Sequence, residues 1–213
     1  MKLALHNYWR SSASYRIRIA LGVKNLPYEY VAVNILKREQ HADGYRAKNP
    51  MAQVPTLILE DNGETYTLVQ SLPIMEFLDE RFPEPPILPN SPYDRARCRA
   101  LAEMINSGIQ PLQNLTTHSE LKKLGVDIAV WTKGFIDSGL SGFAAAAEAT
   151  AGKFCVGDSV TIADICLVPQ LYGARRFGFD LTKFPRLLEI EERCQALPAF
   201  QNAAPDHQPD AVK

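Results

Sequence analysis

With 213 residues, 46% of them hydrophobic, the chain can build one large domain or two of ordinary size, and general disorder is excluded. Its 23 basic and 24 acidic side chains leave a net charge of -1, which gives neither a nucleic-acid backbone nor an anionic membrane an electrostatic reason to bind. A small-molecule partner is the expectation, with no nucleic acid and no membrane. No apolar run is long enough to span a bilayer, and residues Met1 to Asn7 turn polar too soon for a signal peptide, so a cytoplasmic protein is expected. Cys98, Cys155, Cys166 and Cys194 lie among apolar neighbours without C-x-x-C spacing and read as buried small side chains, not disulfides or ligands. His6, His41, His118 and His207 show no ligand spacing, so no metal site is expected.

In chain order, Leu3 to Asn7 alternates like a short strand and feeds a hydroxyl-rich entry, Tyr8 to Ser14, that runs into an amphipathic helix ending near Gly22 to Asn25. Ser11 and Ser12 therefore fall at a strand-to-helix turn, where unpaired N–H groups favour an anion. Ser11 and Ser14 hold the spacing of the two reactive cysteines of thioredoxin-like domains, but neither is a cysteine. Any sulfur chemistry here needs a sulfur brought by a cofactor, with a serine hydroxyl donating to it; the competing reading of Ser11 is a plain helix N-cap.

Tyr28 to Val33 is rich in β-branched and aromatic residues and predicts a second strand, parallel to the first. A polar stretch from Lys37 to Asn49 holds at most a short helix around Gln40 to Lys48. Val54 to Leu59 and Thr65 to Val69 predict two strands joined by Asp61-Asn62-Gly63-Glu64, an antiparallel hairpin. A third helix starts at Ser71, with Pro73 tolerated in its first turn. The order β-α-β-α-β-β-α matches a thioredoxin-like domain over residues 1–81. Residues 82–92 carry five prolines and predict a linker. Beyond it the patterns are helical over Asp94 to Ile109, Ile128 to Thr150, Thr161 to Phe177 and Pro185 to Ala196, so 93–213 is expected to be an all-α domain, its tail from Pro205 extended. Thr161-Ile162-Ala163-Asp164 is a capping-box pattern.

The stretch from Ser11 to Leu21 resembles the signature of the zeta-class glutathione transferases, the maleylacetoacetate isomerases. Asn49 to Leu57, Gln70-Ser71-Leu72, Gln110 to Leu115, Phe154 to Asp158 and Leu167 to Gln170 resemble further segments of that family in the same order, so the resemblance spans both domains. It implies glutathione transferase architecture, glutathione as cofactor and a homodimer. It also implies that Ser11, with Ser12 beside it, serves the cofactor sulfur; that Val54, before a cis Pro55, pairs with the peptide backbone; and that Gln70 and Ser71 hold the γ-glutamyl carboxylate at a helix start. Gln40 is the candidate for the glycyl end, and Gln110 and Asn114, four apart on one helical face, match family positions near the cofactor. For the substrate, an unsaturated diacid or keto acid, Arg10 and Arg176 are the candidate carboxylate partners, because arginine grips a carboxylate with two parallel bonds. Arg16 and Arg18 read as structural, tying the sheet to the second domain.

One departure stands inside the motif, since Ala13 occupies a place where the family usually has cysteine. The resemblance implies isomerisation of maleylacetoacetate to fumarylacetoacetate. Its rivals are a maleylpyruvate isomerase, a broader conjugating or dehalogenating transferase, and a transferase-like binding module without catalysis. Leu115-Thr116-Thr117 lacks the paired arginines associated with maleylpyruvate isomerases, and retention of Ser11, Val54-Pro55 and Gln70-Ser71 argues against the module.

Overall fold

Alternation in β1 (Lys2–Asn7) turns Leu3, Leu5 and Asn7 inward, the pattern of a strand covered on one face. The structure, a computed structural model, describes residues 1–212. It divides into two compact units, Met1–Pro86 together with the segment from Leu197 onward, and Ile87–Ala196.

In the first unit β1 runs parallel to β2 (Glu29–Ala32) and antiparallel to β3 (Thr56–Asp61), and β3 pairs antiparallel with β4 (Glu64–Val69), giving the order β2-β1-β3-β4. Asn62 and Gly63 close the β3–β4 hairpin with φ of 51° and 85°, the two left-handed positions that a two-residue turn requires. Helix α1 (Ser12–Val23) buries Ile17, Ile19, Ala20 and Leu21, and α3 (Ser71–Arg81) buries Ile74, Met75 and Leu78. Together with Leu5, Leu57 and Leu59 these side chains form the core. The buried Lys24 ammonium ties the end of α1 to that of α3, donating to Asp79 Oδ1 and to the Phe82 carbonyl, each at 2.7 Å. The polar stretch between β2 and β3 forms 3-10 turns at Ile35–Lys37 and Glu39–His41 and one short helix, α2 (Asp43–Arg46), in place of a helix reaching Lys48.

The second unit contains α4 (Pro92–Asn106), α5 (Leu115–Lys123), α6 (Ile128–Glu148), α7 (Ile162–Arg176) and α8 (Pro185–Gln195). Helix α7 is apolar almost all round and packs against both α4 and α8, as a central helix must. Its start is fixed by Asp164, fully buried, which accepts from Thr161 N at 2.8 Å, Thr161 Oγ1 at 2.8 Å and Cys155 N at 2.7 Å. Burial pushes the Asp164 carboxyl up, and these three donors oppose the shift by favouring the carboxylate.

Three expectations change. Residues 87–91 do not behave as linker: Ile87 and Leu88 are buried, and the Ile87 carbonyl accepts from Ile162 N at 2.9 Å. The segment from Leu197, assigned by sequence to the helical domain and expected to end extended, instead joins the first unit, where α9 (Pro198–Ala203) packs on α1 and a 3-10 turn follows at Pro205–His207. Gly22 permits this docking, since a Cβ there would lie 3.2 Å from Ala199. Arg18, expected to tie the sheet to residues 93–213, does so through the Ala203 carbonyl, but within the first unit that this segment has joined; it also donates to Asn7, Tyr8 and Trp9, and Arg16 donates to Ser71.

Candidate active site

Ser11 is the N-cap of α1, with extended backbone (φ -68°, ψ 122°) and its Oγ accepting from Ser14 N at 3.2 Å. That bond uses an acceptor lone pair and leaves the hydroxyl hydrogen for another partner, so capping and donation to a sulfur are compatible in one side chain. Beside it the N–H groups of Ser12 and Ala13 take no partner among the described residues, as expected at a helix start, and they add positive potential to the same turn. Ser14 is buried, and its Oγ accepts from Tyr8 N at 3.4 Å, so the second serine of the pair is structural.

All four cysteines are buried and unbridged, and burial pushes the thiols of Cys98, Cys155 and Cys194 up, away from the thiolate.

The Val54–Pro55 bond is cis, and the Val54 N–H and C=O take no hydrogen-bond partner among the described residues. The loop is clamped on both sides of that bond. Tyr45 Oη donates to the Gln53 carbonyl at 2.6 Å and lies 2.9 Å from Thr56 Oγ1, while Asn49 Nδ2 donates to the same two atoms at 2.8 and 3.2 Å. Sequence reading did not single out Tyr45 or Asn49 for this. The available signals were a tyrosine set in an otherwise polar stretch and an asparagine immediately before Pro50.

Helix α3 starts at Ser71, as expected. Gln70, not Ser71, is the N-cap residue, and it sits at φ 70°, a conformation a non-glycine residue adopts only under local constraint. Ser71 is the first helical residue and nearly fully buried, its Oγ accepting from Arg16 Nη1 at 3.0 Å. The N–H groups of Ser71 and Leu72 take no partner among the described residues, and Pro73 has none to offer. Gln40, half-buried on the 3-10 turn at Glu39–His41, keeps its Oε1 buried and unpartnered among the described residues. Arg10 lies with its guanidinium carbon 5.1 Å from the Trp9 ring centroid. Thus the first unit carries Arg10, Ser11, Ser12, Gln40, Val54, Pro55, Gln70 and Ser71.

Gln110, Asn114 and Arg176 lie in the second unit. Gln110 and Asn114 do not share a helical face: Gln110 opens a 3-10 turn, Gln110–Gln113, and Asn114 is the extended N-cap of α5 (φ -84°, ψ 158°). Pro111 and the tight turn break the register that a four-residue spacing assumed. Within this segment the Gln113 amide exchanges two bonds with that of the buried Gln170, at 2.9 and 3.2 Å. The paired arginines are both exposed at the last turn of α7; Arg175 makes a bidentate pair with Glu191 that holds its pKa up, and the Arg176 guanidinium lies 6.0 Å from the Phe177 ring centroid.

The family description "Glutathione S-transferase, N-terminal domain" matches residues 5–86, and "Glutathione S-transferase, C-terminal domain" matches 141–198. Maleylacetoacetate isomerase of Mus musculus is 44% identical over 212 residues, covering 98% of this chain and 95% of that protein. A crystal structure of maleylacetoacetate isomerase from Anaeromyxobacter dehalogenans 2CP-1 with bound glutathione superposes with a TM-score of 0.93 at 49% identity, over 99% of this chain and 98% of that one. A holo structure of maleyl pyruvate isomerase, a bacterial zeta-class glutathione transferase, superposes with a TM-score of 0.91 at 40% identity, over 98% of this chain and 100% of that one.

Proposed function

Because the chain belongs to the glutathione S-transferase family, in the zeta-class branch of the maleylacetoacetate isomerases, we propose that it converts maleylacetoacetate to fumarylacetoacetate in tyrosine and phenylalanine breakdown, with glutathione as a catalytic cofactor. The chemistry glutathione supplies when bound is reversible thiolate addition to the activated cis double bond, rotation about the resulting single bond and re-elimination to the trans isomer. The protein's part is to hold that sulfur ionised and to orient the acid. A thiol of pKa ~8.5 is only about 3% ionised at pH 7. Lowering the pKa by about two units, which corresponds to ~2.7 kcal/mol, makes the thiolate the main form. The Ser11 hydroxyl hydrogen and the unpaired N–H groups of Ser12 and Ala13 are the donors for this role.

The remaining unpartnered groups fit the tripeptide. The Val54 backbone suits strand-like pairing with its peptide, the Ser71 and Leu72 N–H groups suit its γ-glutamyl carboxylate, with Gln70 beside them, and Gln40 suits its glycyl end. Gln110 and Asn114 are assigned to the cofactor on the resemblance of their segment. Arg10 is assigned to a substrate carboxylate, with Arg176 as the second candidate. The single observation that carries the reading is the Ser11 hydroxyl, engaged as an acceptor and so left with its donor unspent.

Purified protein should isomerise the cis substrate with glutathione present and return to the uncatalysed rate without it; equal rates in both would end the proposal. Maleylpyruvate isomerisation is the second reading, favoured by the similarity to the maleyl pyruvate isomerase structure. Turnover of the two substrates side by side should favour maleylacetoacetate, and a reversed preference selects the rival. The chain is further proposed to work as a homodimer in the cytoplasm. Exposed Met51 and Tyr66 are apolar surface that a second copy would cover, and four unbridged cysteines suit a reducing compartment. Sedimentation should give twice the 23.7 kDa chain mass, and a monomer at micromolar concentration would contradict the dimer.

A further inference from the structure

We propose that Asp210, in the last segment of the chain, is a positioning residue for the turn that carries Ser11. The inference rests on the reading of Ser11 given above.

The turn from Tyr8 to Ser11 is gripped from two sides by opposite charges. From one side Asp210 accepts the Trp9 N–H on Oδ2 at 3.2 Å and the Tyr30 hydroxyl on Oδ1. Tyr30 stands on β2 in register with Leu5 of β1, so the carboxylate is itself fixed to the sheet. From the other side the buried Arg18 guanidinium donates to the Trp9 carbonyl at 2.8 Å and the Tyr8 carbonyl at 3.4 Å. The Tyr8 carbonyl also accepts from Ser11 N at 3.0 Å, which makes the closure of the turn part of the same network. Trp9 thus has its N–H on an anion and its C=O on a cation, and one residue, Arg10, separates it from Ser11.

Charge-assisted bonds of this kind are the stronger class, and a pair of them on one residue fixes its position as well as its stability. A site that stabilises charge depends on donors standing where the charge forms, so slack at Trp9 is passed to the Ser11 hydroxyl two residues on. The charged and titratable groups around the network are Arg18 and Tyr15 on α1, Tyr28 and Tyr30 at β2, and Arg10 on the turn.

This arrangement makes the sign of the effect diagnostic. As a bare negative charge, Asp210 would oppose a thiolate, so its neutralisation would lower the pH at which bound glutathione ionises. As a positioning residue its loss raises that pH, because the donors aimed at the sulfur drift. The test is a pH titration of the thiolate ultraviolet absorbance of the glutathione complex in the full-length protein and in Asp210→Ala, Asp210→Asn and Tyr30→Phe, with kcat, KM and melting temperature measured beside it.

The midpoint should rise by about one unit in Asp210→Ala, which from a midpoint of about 6.5 lowers the thiolate fraction at pH 7, and with it kcat, by about threefold. Asp210→Asn, which keeps one amide oxygen for one of the two donors, and Tyr30→Phe, which only loosens the carboxylate, should shift it in the same direction by less. If Asp210→Ala does not fold, the other two variants decide. Midpoints unmoved or lowered in the folded variants overturn the proposal, even where melting temperatures fall. Ser11→Ala run in parallel judges the underlying reading separately: an unmoved midpoint there removes Ser11 as donor, while a raised midpoint in the Asp210 variants still assigns the tail to positioning of the turn and its N–H groups.

Discussion

Ser11→Ala lowers turnover at pH 7 by about one order of magnitude, the loss of thiolate that follows when a hydrogen-bond donor to a resident negative charge is removed. A hydrogen bond to a charged group contributes about 1.5–3 kcal/mol, so the pH midpoint of thiolate formation should rise by about one to two units. The same substitution strips the N-cap, because Ser14 N loses the acceptor it has at 3.2 Å. An alanine at an N-cap costs ~1 kcal/mol, whereas glycine there costs only a few tenths. Ser11→Gly therefore separates the two roles: it should match Ser11→Ala in lost turnover and raised midpoint while unfolding closer to the parent. A thiolate absorbance that titrates in Ser11→Ala as it does in the parent would remove the hydroxyl from the mechanism.

Arg18→Met should destabilise the protein by about 3 kcal/mol or more, because buried acceptors lose a charged donor and an unsatisfied buried group costs about 1–3 kcal/mol. Arg18 is 1% exposed and donates to Asn7 Oδ1 at 3.0 Å, to the Tyr8 and Trp9 carbonyls at 3.4 and 2.8 Å, and to the Ala203 carbonyl at 3.0 Å. Methionine fills much of the space and avoids burying a charge, which offsets part of the loss, but four acceptors are left without their donor. At roughly 2–4 °C per kcal/mol for a chain of this size, the melting temperature should drop by about 6–12 °C. Arg18→Lys should fall between, since one ammonium cannot reproduce a planar fork that reaches acceptors on both the turn and α9. A melting temperature within about 2 °C of the parent in Arg18→Met would show that the network is dispensable.

Reading the chain as a string revealed the elements whose signals are local. Asn62-Gly63 between two apolar runs announces the β3–β4 hairpin, and the serines before Tyr15 announce the start of α1. Helix α5 was missed because Leu115–Lys123 buries no residue and so carries no apolar stripe. Helix α9 was missed because it is six residues long, between prolines, and is held by packing on α1. Gln70 at φ 70° illustrates a different limit, because nothing in the residue type predicts the left-handed cap. Gln110 and Asn114 were placed on one face by counting along a helix that Pro111 replaces with a tighter turn. The partners of Arg18 and Trp9 lie beyond any periodicity: Ala203 is 185 residues from Arg18, and Asp210 is 201 from Trp9.

The return of the segment from Leu197 to the first unit has a consequence for synthesis. On the ribosome the first 86 residues emerge early and can pair their strands, yet Arg18 meets the Ala203 carbonyl, and Trp9 meets Asp210, only after the whole helical unit has been translated. Until then the nascent sheet carries a buried cation short of one acceptor and a reactive turn held from one side. A message truncated shortly after Ala196 would encode every strand and the entire helical unit, and its product would still lack the closing strap, a defect that quality-control proteases would meet as a loosened α1.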